Sequence, residues 1–123
     1  MTKVLIIEDD DTIANAYGLA LQKDGYEVHM APDGLKGLQM AENIHPDIIM
    51  LDLLMPNMGG LEFLKAFEAD HHPNTKVLVF TNMLAPSTMS AAEQLGAIKY
   101  LTKSDYTPKE ISELIKQLSV KPE

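Results

Sequence analysis

PDIIMLDLLMP, from Pro46 to Pro56, is the stretch on which the fold turns. Ile48 to Leu51 is a short aliphatic run that extends to Leu53 and is closed by acidic residues and proline. So short a run with no polar stripe suits a strand buried on both faces better than a helix. Val4 to Ile7, closed by Glu8-Asp9-Asp10-Asp11, and Val77 to Phe80, closed by Thr81-Asn82, are built the same way. Tyr26 to Met30 and Ala97 to Leu101 mix polar residues into the run and read as edge strands of the same sheet.

Segments of helical period lie between these runs. Ile13, Ala16, Tyr17, Ala20 and Leu21 recur at three and four, as do Ile111, Leu114, Ile115 and Leu118. Leu35 with Leu38, then Leu61, Leu64 and Phe67, repeat the signal, and a shorter helix with a weak apolar face covers Pro86 to Leu95. Asp11 is placed to cap the first helix, with Asp10 exposed, and Thr107-Pro108 with Glu110 forms a capping box for the last. Strand and helix therefore alternate five times. Right-handed crossovers put helices on both faces of a parallel sheet, and the order 2-1-3-4-5 keeps the three apolar strands central. The expected fold is an α/β three-layer sandwich, a doubly wound, flavodoxin-like (βα)5 domain over residues 1–123.

Length and charge narrow the function. The 123 residues fit one domain, and the absence of cysteine removes both disulfides and thiolate sites. All ten basic residues are lysine, against 18 acidic ones, for a net charge of -8. That balance opposes nucleic-acid and anionic-membrane binding, and a chain without arginine lacks the usual bidentate reader of bases and phosphates. No apolar run is long enough to span a bilayer, and the N-terminal apolar run meets acid too early for a signal peptide. A soluble, cytoplasmic domain is expected.

The polar residues converge where the sheet order brings strand ends together. The first strand ends in Glu8-Asp9-Asp10-Asp11, the third reaches Asp52, the fourth ends at Thr81-Asn82 and the fifth runs into Thr102-Lys103, all at the carboxyl rim beside the switch between strands 1 and 3. Carboxylates gathered there repel one another unless a cation sits among them. Oxygen ligands without cysteine or suitably spaced histidine favour Mg²⁺ or Mn²⁺. A cation, a lysine and a hydroxyl around one carboxylate suit phosphoryl transfer, whose charge must be matched from several directions. The pair His71-His72 reads as exposed loop instead.

From KVLIIEDD through PDIIMLDLLMP and VLVFTN to KYLTKS, the chain resembles the receiver domain of two-component response regulators over essentially its whole length. The resemblance implies that Asp52 accepts a phosphoryl group from a histidine kinase or histidine phosphotransfer protein. It implies metal ligation by Asp9, by Glu8 through water, by Asp52 and by the Leu54 carbonyl. Thr81 and Lys103 would engage the phosphoryl group, and Tyr100 would be the switch aromatic whose rotamer follows Thr81. The face made by the fourth helix, fifth strand and fifth helix would change shape on phosphorylation, for a downstream protein or output domain that the sequence does not name. A monomer is expected, with at most weak dimerisation after phosphorylation, and slow self-dephosphorylation because Leu54 and Met83 flank the path of attacking water. Two positions depart from the family pattern: Ser104 stands where proline is usual, and Asn82 where alanine or glycine is usual. Two other readings stay open. A metal phosphohydrolase with an aspartyl nucleophile usually needs a second aspartate where this chain has Leu54. A receiver-like module that never carries phosphate is opposed by the retention of Glu8, Asp9, Asp52, Thr81 and Lys103 together.

Overall fold

The computed structural model describes residues 2–55, 57–82 and 85–119. Five parallel strands, β1 (Lys3–Ile7), β2 (Glu27–Ala31), β3 (Ile48–Leu51), β4 (Lys76–Thr81) and β5 (Ala97–Thr102), form one sheet in the order β2-β1-β3-β4-β5. Each is followed by a helix: α1 (Asp11–Lys23), α2 (Gly34–Ile44), α3 (Gly60–Phe67), α4 (Pro86–Gln94) and α5 (Pro108–Ser119). Short 3-10 turns occupy Ala69–His71 and Lys103–Asp105. The expected α/β architecture, strand order and edge strands are all present.

The sheet divides the core by the period of two. Leu5, Ile7, Ile49, Leu51, Val77 and Val79 face one side, where they meet Ala41 of α2, Phe63, Leu64 and Phe67 of α3, and Ala92 of α4. Val4, Ile6, Ile48, Met50, Leu78 and Phe80 face the other, against Ala14, Tyr17 and Leu21 of α1 and Ile111 and Ile115 of α5. With both faces covered, β1, β3 and β4 carry apolar residues continuously instead of alternating. β2 and β5 are only partly buried.

Several local expectations are corrected. β3 ends at Leu51, because the Asp52 amide still donates to Ile7 O at 3.0 Å but the Leu53 carbonyl already accepts Gly60 N at 3.1 Å, turning the chain toward α3. Asp10, not Asp11, caps α1: its carboxylate accepts from Thr12 N at 2.9 Å and Ile13 N at 3.1 Å. The buried stripe of α1 is Ala14, Tyr17, Gly18 and Leu21, with Ala16 exposed. In α2 the core face is Gly34, Gly37 and Ala41, while Leu35 is 50% exposed. A Cβ at Gly37 would lie 2.5 Å from Ile7 Cδ1, so α2 approaches β1 through small residues, while Leu38, as expected, is half-buried against the same core. The expected capping box holds, with Thr107 N donating to Glu110 Oε1 at 2.9 Å and Glu110 N to Thr107 Oγ1 at 3.2 Å. Of the adjacent histidines, His71 is exposed beside Glu68, but His72 is half-buried with its ring stacked on Phe67.

Candidate functional site

Backbone ladders position the two buried carboxylates. Glu8 N donates to Ala31 O at 3.0 Å and Asp52 N to Ile7 O at 3.0 Å, so both residues sit one step beyond their strands yet remain tied to the sheet. Glu8 is 5% exposed and Asp52 6%, whereas Asp9 is open to solvent. Ligand oxygens of Glu8, Asp9 and Asp52 all lie within 4.8 Å of one another.

Lys103 opens the turn after β5 and reaches across the rim to both buried acids. Its Nζ donates to Glu8 Oε1 at 2.6 Å and to Asp52 Oδ2 at 3.0 Å. Leu54 N donates to Asp52 Oδ1 at 3.3 Å, which orients the carboxylate from the other side. Glu8 Oε2 is buried with no partner, as is Thr81 Oγ1. Below Glu8 and Asp52 lies a cavity of about 10 Å³ lined by Ile13, Tyr17, Met50 and Phe80, room for barely one water.

This floor explains the electrostatics. Burial pushes the Glu8 carboxyl up to about 7, neighbouring Asp52 adds to the rise, and Lys103 opposes it. For Lys103, burial works against the charged form, but its bonds to Glu8 and Asp52 prevail and hold it above the ordinary lysine range. Two carboxylates thus compete for one ammonium, and the surplus negative charge makes Glu8 hold a proton to higher pH than an ordinary carboxyl. A divalent cation would meet that surplus equally well. The orphaned Glu8 Oε2, the exposed Asp9 and an all-oxygen donor set fit a hard cation.

Of the residues singled out in the sequence, Glu8, Asp9, Asp52 and Lys103 come together directly. Thr81 is wholly buried at the end of β4 and Leu54 follows Asp52 with its side chain outward. Tyr100 stands apart: it is half-buried, and its hydroxyl donates to Ala97 O of its own strand at 3.3 Å. Val79 pairs with Tyr100 and Thr81 with Thr102, so Tyr100 and Thr81 are diagonal neighbours on one face of the sheet. Met83 lies outside the described residues, as does Pro56, and no cis peptide bond occurs among the described ones. The apolar floor under the acids was missed in sequence. Tyr17 read only as part of the α1 stripe and Phe80 only as a strand residue, although each lies at the carboxylate rim once the sheet is assembled.

Fold and site together define a doubly wound α/β domain with an aspartate-centred acidic cluster at the switch point of its sheet. The sequence matches the family described as "Response regulator receiver domain" over residues 4–116, and the chain belongs to that family. Response regulator ArlR of Staphylococcus saprophyticus is 32% identical over 118 residues, which cover 96% of this chain and 51% of that protein. Regulatory protein AtoC of Escherichia coli is 31% identical over 103 residues, covering 84% of this chain and 22% of that protein. The chain thus spans between about a fifth and a half of the length of these relatives. Among solved structures, chemotaxis protein CheY4 of Vibrio cholerae superposes with a TM-score of 0.86 at 31% identity, covering 95% of this chain and 98% of the other. A CheY-like receiver domain of Methanospirillum hungatei gives 0.89 at 27% identity, covering 96% and 93%. The chain is a CheY-like receiver domain, and its general role is signalling in two-component systems. No described helix is long and apolar enough to cross a membrane.

Proposed function

We propose that residues 1–123 form one phosphoacceptor domain, in which Asp52 takes a phosphoryl group from a phosphohistidine on a kinase or phosphotransfer protein in the cytoplasm. The observation that carries this reading is Lys103 Nζ bound at once to Glu8 and Asp52, beside a third acid and a buried, unpartnered Thr81 hydroxyl. An Asp52 carboxylate oxygen attacks phosphorus in line, the P–N bond to the donor imidazole breaks, and an acyl phosphate forms on Asp52. Lys103 remains within reach of the new phosphoryl oxygens, and Thr81 gains the acceptor it lacks. Glu8, Asp9, Asp52 and the Leu54 carbonyl would hold Mg²⁺, or Mn²⁺ in its place, which supplies charge neutralisation at those oxygens.

Thr81 and Tyr100 share a face of the sheet, so a Thr81 drawn toward phospho-Asp52 leaves room for the Tyr100 ring to turn inward. The face of α4, β5 and α5 would then change shape for its reader, as a shift between two populated states. Leu54 at the second position after Asp52 opposes the phosphohydrolase reading, since it supplies no acid or base. The test is intact-mass spectrometry after acetyl phosphate and Mg²⁺. One added phosphoryl group on the native chain and none on Asp52→Asn supports the proposal; equal labelling of both, or none on either, refutes it.

A further inference from the structure

The Leu54 carbonyl is the one proposed cation ligand supplied by main chain, so its place depends on the path of the connection from Asp52 to Gly59. Two bonds tie the middle of that connection to the start of α2. Asn57 Nδ2 donates to Asp33 Oδ2 at 3.0 Å, and Gly34 N donates to Met58 O at 3.1 Å. The approach is close: a Cβ at Gly34 would lie 2.5 Å from the Met58 carbonyl oxygen. Asn57 adopts a left-handed backbone, φ 66°, a conformation asparagine tolerates better than most residues. The other Asp33 oxygen, Oδ1, accepts Lys36 N at 2.8 Å and caps α2. A single carboxylate thus does two jobs with two different oxygens.

We propose that Asp33, through its bond to Asn57, is a positioning residue of the phosphoacceptor site: it clips Asn57 to the first turn of α2 and so sets the Leu54 carbonyl, three residues earlier in the chain, for cation binding. The inference rests on the reading of Glu8, Asp9, Asp52 and Leu54 as cation ligands. It differs from simple helix capping because the two functions of Asp33 can be separated. Serine at 33 retains an oxygen for the cap but has none left for Asn57. Glycine at 57 tolerates the left-handed backbone but has no amide. Asparagine at 33 keeps the cap oxygen and offers an N–H, which the Asn57 amide, turned over, accepts.

The experiment is calorimetric titration of Mg²⁺ into the full chain, with hydrogen exchange of the 54–59 amides measured on the same samples. Native protein, Asp33→Ser, Asn57→Gly, their double variant, Asp33→Asn and, as reference, Asp9→Asn are compared. Asp33→Ser and Asn57→Gly should each weaken Mg²⁺ binding by about three- to tenfold, the range of one hydrogen bond, and speed exchange in the loop. The double variant should be no weaker than either single one, because both remove the same bond, and Asp33→Asn should bind as the native chain does. Native affinity in Asp33→Ser and Asn57→Gly, with Asp9→Asn weakened, overturns the clip and leaves the site reading standing. Additive losses in the double variant, or a lowered melting temperature with unchanged Mg²⁺ affinity, likewise reduce Asp33 to a structural cap. Equal binding by native protein and Asp9→Asn overturns the site reading, and the clip with it.

Discussion

Glu8→Gln removes the titration of Glu8 while keeping its shape and an oxygen for Lys103. Burial first, then Asp52, lifts the Glu8 carboxyl from 4.5 to about 7, against the pull of Lys103. Between those values the folded chain holds a proton that the unfolded chain has released, so stability falls as pH rises. The contribution is complete below the unfolded pKa and gone once the pH has passed the folded one. At about 1.36 kcal/mol per pKa unit it amounts to about 3 kcal/mol. The assay is urea unfolding of native protein and Glu8→Gln, in chelator, at intervals from pH 5 to pH 8. Glutamine cannot titrate, so the difference between the curves reports Glu8 together with the neighbouring groups whose charges depend on it. The native chain should lose about 2 to 3 kcal/mol relative to the variant across that range, the rest of the change lying below pH 5. Parallel curves, or a native chain that gains on the variant, would refute the account of a proton trapped over an apolar floor. Excess Mg²⁺ should flatten the native slope, since a cation then takes the place of the proton.

Lys103→Ala leaves Glu8 and Asp52 buried without their ammonium and should cost about 3 to 5 kcal/mol at pH 8 in chelator, partly restored by Mg²⁺; urea midpoints measure it. Light scattering should find a monomer without phosphorylation and at most a weak dimer with beryllofluoride, because the face of α4, β5 and α5 has Lys99 and Glu110 but no arginine for bidentate pairing. Decay of phospho-Asp52 in Mg²⁺ should quicken in Met83→Gln and change little in Asn82→Ala, because Leu54 and Met83 cannot orient a water. Strong slowing in Asn82→Ala would instead make that asparagine part of the hydrolytic machinery.

The parallel sheet was legible because β1, β3 and β4 are buried on both faces, and such strands announce themselves as unbroken aliphatic runs. That Glu8, Asp9, Asp52 and Lys103 lie near one another was legible because strand order brings carboxyl ends to one rim, while the choice of Glu8 and Asp9 among four consecutive acids came from the family resemblance. What stayed hidden depended on distances between elements. Gly37 lies against Ile7, so the α2 stripe is made of small residues that leave little trace in a hydrophobic period, while Leu35 points to solvent. The shift of the α1 cap from Asp11 to Asp10 is a one-residue choice among four consecutive acids, decided by which carboxylate can reach two free amides. The bond between Asp33 and Asn57 spans 24 residues, and nothing local in either segment names the other. Ile98 is 50% exposed because the pairing of β4 with β5 skips it between Ala97 and Lys99, an irregularity with no signature in AIKYLT.

The central claim is that the aspartate held by Lys103 is the phosphoryl acceptor. It is tested most directly by incubating the chain with a phosphorylated histidine phosphotransfer protein and Mg²⁺, then trapping the product with borohydride, which reduces an aspartyl phosphate to homoserine. Peptide sequencing should find homoserine at residue 52 and nowhere else, and none in Asp52→Asn. Homoserine at Asp9, or a label that resists hydroxylamine and maps to a hydroxyl or histidine, would contradict the account.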